Sequence, residues 1–202
     1  MTLQVMLVTT VILAGGLGKR IGGNKAQKLL QGKPLIAWVL GSVGQHSAEI
    51  LINANLSAEG YSQYGYRVVA DQYTGNQGPL AGLHAAMACA KYRLVVTVPC
   101  DTPFLPHDLI LRLLPAVAEG NAEAAVVVVE GCRQPTLAIY NRAVLPKLSK
   151  FLESGGRKVG DWLDTLIVNE VMFDNEIGFG NINSMADLES AEILLEKMQG
   201  GV

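Results

Sequence analysis

Nine residues from Gly15 to Gly23 hold five glycines, Gly15, Gly16, Gly18, Gly22 and Gly23. Lys19 and Arg20 are interleaved with them, and Lys25 follows closely. Glycine backbone can approach a ligand and converge successive N–H groups on an anion, and neighbouring cations suggest a phosphate chain. A second chemical signal is Asp101, bracketed by Pro99 and Pro103 after the β-branched run Leu94-Val95-Val96-Thr97-Val98. A carboxylate there could hold Mg2+, which takes oxygen ligands and retains water. The competing role is an Asx-turn, but beside a phosphate cradle the metal role is preferred. Only three histidines are present, scattered along the chain, and no Ser-His-Asp arrangement is evident. The expected chemistry is alignment and charge stabilisation around phosphates.

Spacing excludes two familiar cradles. The P-loop pattern G-x-x-x-x-G-K-[ST], started at Gly18, reaches Gly23 but continues into Asn24. The dinucleotide fingerprint G-x-G-x-x-G, started at Gly16 and Gly18, lands on Ile21.

An α/β framework must position these residues. The apolar run Val11-Ile12-Leu13, with β-branched Val5, Val8, Thr9 and Thr10 just upstream, reads as a first strand buried on both faces and running straight into the glycines. A helix is expected over 34–45, with Leu35, Ile36, Val39, Leu40 and Val43 at helical spacing. Strands follow at 49–54, ending near Asn53 and Asn55, and at 67–70, before Asp71. Polar residues at the carboxyl ends of parallel strands lie where ligands bind. A small-residue helix over about 79–90 carries His84, read as a packed histidine. Further expectations are a helix over 105–118 and a buried strand over 122–130, after which comes the segment Cys132 to Arg142 with Pro135, Thr136 and Ala138. A cationic turn containing Arg157 and Lys158 follows Gly155 and Gly156. Ser184 and Asp187 have capping-box spacing before a last helix whose apolar stripe is Leu188, Ala191, Leu195 and Met198.

The chain has 202 residues, half of them hydrophobic, which suits one domain with a buried sheet. A net charge of −2 gives no general attraction to nucleic acid or an anionic membrane, and neither is expected as a partner. No apolar run is long enough to span a bilayer, and no basic residue precedes the N-terminal apolar stretch, so a secretory signal is not expected. Three cysteines without a C-x-x-C pair read as reduced, mostly packed residues of a cytoplasmic protein, Cys100 as a packed strand-end residue rather than a nucleophile.

Five motifs in order resemble the molybdenum cofactor guanylyltransferases. They are Leu13-Ala14-Gly15-Gly16 with Arg20 to Lys25 and Gly32-Lys33-Pro34-Leu35; Gly78-Pro79-Leu80-Ala81-Gly82; Pro99-Cys100-Asp101-Thr102-Pro103; Pro135-Thr136-Leu137-Ala138; and Asn181-Ile182-Asn183. Where that family usually writes G-G-x-D-K-G, this chain has Gly22-Gly23-Asn24-Lys25-Ala26, one residue shorter and without the acidic neighbour. The resemblance implies a single Rossmann-like nucleotidyltransferase domain over 1–202. Its sheet would be mainly parallel and flanked by helices, with a nucleotide-binding half over about 1–105 and a partly antiparallel acceptor half over about 106–202. It implies transfer of GMP from GTP to the phosphate of molybdopterin, with Mg2+ as cofactor and with proteins that deliver or receive the pterin as further partners. The candidate catalytic residues are then Arg20, Lys25 and Asp101, the last also the metal ligand. Nucleotide contacts fall to Leu13, Ala14, Gly15, Gly16, Lys25, Asn53, Asp71, Gly78, Pro79, Leu80 and Asp101. Acceptor contacts fall to Pro135, Thr136, Arg157, Lys158, Asn181 and Asn183. Two alternatives remain open: a cytidylyltransferase on the same acceptor, and a nucleotide-binding sensor without catalysis.

Overall fold

The computed structural model describes residues 7–16, 21, 23–55, 58–73, 78–118, 120–174 and 177–200. Arg20, Lys19, Gly18, Gly22 and Val5 lie outside the described residues. Strand β1 (Val8–Leu13) lies beside β4 (Glu49–Asn53) and β6 (Leu94–Pro99), all parallel, with β5 (Arg67–Val69) beyond β4. On the other side β8 (Cys132–Asn141) runs antiparallel to both β6 and β7 (Ala124–Val129), and β9 (Val168–Phe173) pairs parallel with β7. The sheet order is β5-β4-β1-β6-β8-β7-β9, so β8 alone is reversed within it. A separate two-stranded ribbon pairs β2 (Leu29–Leu30) with β3 (Lys33–Pro34).

Alternation along the strands builds the two sides of the core. Ile12, Ile52, Val96, Val98, Ala125 and Val127 face one layer, packed by α1 (Leu35–Val43), α3 (Leu109–Leu113) and α4 (Pro115–Ala118). Val11, Leu51, Val95, Ala124 and Val126 face the other, packed by α2 (Pro79–Cys89), α5 (Leu145–Glu153) and α6 (Val159–Leu163). A strand buried on both faces needs apolar residues at odd and even positions alike, which is why these segments read as continuous apolar runs. The last helix, α7 (Met185–Gly200), packs Leu188, Ala191 and Leu195 onto Ile21, Leu30 and Leu35 in a third cluster. Among the described residues no helix is long and apolar enough to cross a membrane.

Proline accounts for one departure from the expected elements. The segment 105–118 is not one helix: α3 begins only at Leu109, beyond Pro106, and Pro115 starts the separate α4. Pro115 has no N–H to return to Leu111, so the helical ladder is interrupted there. Helix α1 similarly begins after Pro34, which sits at its cap, and gives way to a 3-10 turn over Gly44–His46. Met198 does not continue the buried stripe of α7; it is 66% exposed.

Candidate active site

Four parallel strands finish in register. Leu13 sits opposite Asn53 on one side and Pro99 on the other, and Asn53 sits opposite Val69. Whatever follows these residues steps off the same edge of the sheet. The connection from β1 to β4 runs through α1 on one face of the sheet, and that from β5 to β6 through α2 on the other. A crevice therefore opens above the adjacent ends of β1 and β6. A cavity of about 430 Å3 occupies that crevice. Leu13, Gly15, Gly16, Lys25, Asn53, Asp71, Gly78, Pro79, Asp101, Thr136 and Asn181 line it, together with Asn55, Pro99 and Cys100.

The glycines act here through space rather than through unusual dihedrals. Gly15 and Gly16 are not in the left-handed region. A Cβ on Gly16 would meet nothing within 4 Å, and one on Gly15 would lie 3.5 Å from the Asn53 and Asn55 side chains. Ala14 is buried, its N–H donating to Asn53 O at 2.8 Å. Gly78 does take a left-handed φ of 74° at the start of α2, where Pro79 occupies the first turn. Leu80 is buried below it.

Asn53, Asn55 and Asp71 form one amide–carboxylate network. Asn53 Nδ2 donates to Asp71 Oδ1 at 2.8 Å and to Val69 O at 3.1 Å. Asn55 Nδ2 donates to Asp71 Oδ2 at 2.7 Å, and the Asp71 N–H returns a bond to Asn55 Oδ1 at 2.8 Å. Gly82 makes room for this arrangement: a Cβ there would stand 2.2 Å from Asn53 Oδ1 and 2.7 Å from its Cγ. Asn55 was visible beside Asn53 at the end of an expected strand; the need for Gly82 was not, because it arises between a helix and a strand end.

Across the cavity, the Lys25 ammonium is ion-paired with Asp101 and donates to Asn183 Oδ1 at 2.6 Å. The Lys25 and Asp101 side chains are only 13% and 14% exposed, so water screens this pair weakly. The closing N-x-N segment is stapled to the same strand end. Thr102 Oγ1 donates to Asn181 Oδ1 at 2.7 Å, and Ile182 N–H donates to Asp101 O at 2.9 Å. Asp187 then accepts from the N–H groups of Asn183 and Ser184, both at 2.8 Å, while its own N–H donates to Ser184 Oγ at 3.2 Å. These bonds hold the Asp187 carboxyl below its ordinary value, the Asn183 N–H contributing most.

Thr136 lines the cavity beside an irregularity in β8, and Pro135 does not reach that cavity. Strands β7 and β8 pair Val126 with Ala138 but Val127 with Gln134, so residues 135–137 of β8 have no partners in that ladder. Pro135 lacks the N–H a regular ladder would use, and an irregular stretch re-aims the adjacent side chains. Pro135 itself lines a much smaller neighbouring cavity with Thr136 and Tyr140.

Arg157 and Lys158 are not among the residues lining the main cavity. The Arg157 guanidinium donates to Leu152 O in the last turn of α5 at 2.7 Å and to Gly156 O beyond it at 2.6 Å. Its backbone carbonyl approaches Gly78 instead, 3.8 Å from where a Cβ would stand. Lys158 caps α6. His84 is buried and shares a 3.0 Å hydrogen bond with Ser149 Oγ, and burial lowers its pKa. Burial and the adjacent Asp101 charge push the Cys100 thiol up to about 12, which suits a packed residue and not a nucleophile.

A doubly packed, mainly parallel sheet with a glycine crevice, a lysine and a carboxylate at its strand ends defines a nucleotidyltransferase-type site. The sequence pattern of the MobA-like NTP transferase domain matches residues 10–166. A molybdenum cofactor guanylyltransferase of Cupriavidus metallidurans is 37% identical over 191 residues, covering 92% of this chain and 94% of its own. One from Shewanella baltica is 37% identical over 179 residues, covering 88% and 91%. The crystal structure of molybdopterin-guanine dinucleotide biosynthesis protein A from Archaeoglobus fulgidus superposes with a TM-score of 0.80 at 28% identity, over 94% of this chain and all of that one. The chain belongs to the molybdenum cofactor guanylyltransferase family of MobA-like nucleotidyltransferases. The 2-C-methyl-D-erythritol 4-phosphate cytidylyltransferase of Thermus thermophilus shares the fold, with a TM-score of 0.70 at 20% identity over 92% of this chain and 98% of its own.

Membership of a nucleotidyltransferase family implies a divalent metal ion accompanying the nucleotide. Among the described residues no three His, Cys, Asp or Glu side chains gather as a ready-made metal cage. Asp101 would offer a single carboxylate, a donor set that fits an ion held largely by phosphate oxygens and water.

Proposed function

We propose that this chain transfers GMP from GTP to the phosphate of molybdopterin, forming the guanine dinucleotide and releasing pyrophosphate. The observation carrying this reading is that Lys25 and Asp101, ion-paired and joined by Asn183, line one crevice with Gly15 and Gly16. An acceptor phosphate oxygen would form the new bond to the α-phosphorus as the bond to the pyrophosphate oxygen breaks. The acceptor is already an anion, so no general base is needed. Catalysis would come from alignment and charge stabilisation.

Backbone N–H groups at Gly15 and Gly16 would face the phosphates, and Lys25, with Arg20 from the preceding loop, would offset charge on the leaving pyrophosphate. Asp101 would hold Mg2+, whose contribution is to neutralise and orient the nucleotide phosphates. Lys25 must then turn from the carboxylate toward a phosphate. Asn53 and Asp71 would contact the nucleoside. A carboxylate braced by two amides suits the N–H donors on the edge of guanine better than the acceptor-rich edge of cytosine. Pro135, Thr136, Asn181 and Asn183 would form the acceptor side, with Arg157 and Lys158 nearby. The three free thiols, Cys89, Cys100 and Cys132, fit a reducing, cytoplasmic setting. The partners expected there are proteins that deliver or receive the pterin.

The test is binding of GTP and CTP, side by side with Mg2+, to wild type and Asp101→Asn. The substitution leaves Lys25 an oxygen acceptor while removing the charge. GTP preference that weakens in the variant, followed by pyrophosphate release with molybdopterin, is the expected result. CTP preference would overturn guanylyl transfer, and nucleotide binding without pyrophosphate release would indicate a sensor.

A further inference from the structure

We propose that Gln27 is a positioning residue for Lys25, clamping the turn that presents the ammonium to the nucleotide phosphates. The inference rests on the reading of Lys25 as a phosphate-side cation. Lys25 opens a 3-10 turn, Lys25–Gln27, entered from Asn24 in the left-handed conformation with φ 44° and ψ 52°. Backbone bonds from Gln27 N to Asn24 O at 3.0 Å and from Lys28 N to Lys25 O at 3.1 Å set the shape of this turn. They do not set its place on the molecule. So short a turn brings few internal bonds, and its position must come from anchors outside it.

The Gln27 side chain provides one with both ends of its amide. Its Nε2 donates to Gly60 O at 3.0 Å, and its Oε1 accepts from the Tyr64 hydroxyl at 3.2 Å. Both partners belong to the 3-10 segment Ala58–Tyr64, itself fixed by Tyr61, which is buried in the same core cluster as Ala26. Ala26 thus anchors the turn by burial and Gln27 by hydrogen bonding, directly beside Lys25 in sequence. The clamp stands where the loop is one residue shorter than the family pattern and lacks its acidic residue before the lysine. Displacing a transition-state group by about 1 Å can cost two orders of magnitude in rate, so an anchor two residues away acts on turnover.

Gln27→Met keeps length and bulk while removing both hydrogen bonds, and Tyr64→Phe removes one. Steady-state pyrophosphate release with molybdopterin and varied GTP would be measured for each variant, alone and combined with Lys25→Ala. Gln27→Met is expected to lower kcat roughly 5- to 20-fold with KM for GTP within about twofold, and Tyr64→Phe to do so less. In the Lys25→Ala background neither should lower kcat further, since the group they position is gone. An equal loss in both backgrounds, or no loss with Lys25 present, would overturn the clamp. If Gln27→Met fails to fold, the same cycle with Tyr64→Phe decides the matter. Unchanged turnover in Lys25→Ala alone would instead overturn the reading of Lys25, and the clamp with it.

Discussion

Lys25 is shared between Asp101, at the end of β6, and Asn183, in the segment that closes the site. A charge this buried is costly to leave alone, so the ammonium holds a carboxylate and an amide until a phosphate replaces one of them. Its contribution should grow as negative charge shifts onto the leaving group. Lys25→Ala is therefore expected to lower kcat by roughly 10²-fold while changing GTP affinity much less. Steady-state kinetics and GTP titration of the same preparation measure the two effects separately. Equal turnover would remove the lysine from the chemistry. The residue types were legible in the sequence, since a lysine after a glycine loop and an aspartate between prolines both mark phosphate chemistry. Their joint contact with Asn183 was not legible, because 158 residues separate that amide from the lysine.

Between elements, the fit of α2 against the end of β4 is close. Gly82 leaves the space that the Asn53 amide occupies, and Asn53 in turn braces Asp71. Gly82→Ala must push Asn53 aside. The methyl group adds bulk to a packed contact, an overpacking cost of about 1–3 kcal/mol. The expected outcome is a melting temperature lower by several degrees and GTP binding weakened about tenfold or more, read by thermal melts and titration. Unaltered GTP affinity would show that Asn53 and Asp71 do not contact the nucleoside. The unpaired stretch at 135–137 is a second case in which an element departs from regularity at the cavity rim. Around Pro135 the sequence carried no expectation of such a break, and the missing ladder partners came to light only in the pairing with β7. Which way Thr136 would then point depended on β6 and β7 being present to pair with the rest of β8.

Across the whole molecule, the segment before α7 returns to the carboxyl end of β6. Ile182 and Asn181 bond to Asp101 and Thr102, and the Ser184–Asp187 cap launches α7 across Leu30 and Leu35. The Asp187 carboxyl is held below its ordinary value of 3.8 by the N–H donors of Asn183 and Ser184. A depressed carboxylate adds stability that is complete above its unfolded value and is lost as pH falls through its lower folded value. Melting temperature should accordingly drop on acidification below about pH 4, and Asp187→Asn should flatten that part of the profile while lowering stability near neutrality. An acid limb identical in both proteins would assign the pH response to other groups.

The sequence by itself determined the α/β class, the strand runs, the glycine crevice and most residues that line it. Those properties are local: a doubly buried strand must be apolar at every position, and a phosphate cradle needs small residues beside cations. Proline carried too little weight in that reading: the break between α3 and α4 at Pro115 shows that apolar periodicity alone overstates helix length. Only the tertiary structure decided that Lys25, Asp101 and Asn183 meet, that Gly82 serves Asn53, and that the Arg157 side chain caps a helix outside the main cavity lining. These are contacts between segments distant in sequence. They are set by strand order and by the register in which β1, β4 and β6 end together, and neither is written in the spacing of any single motif.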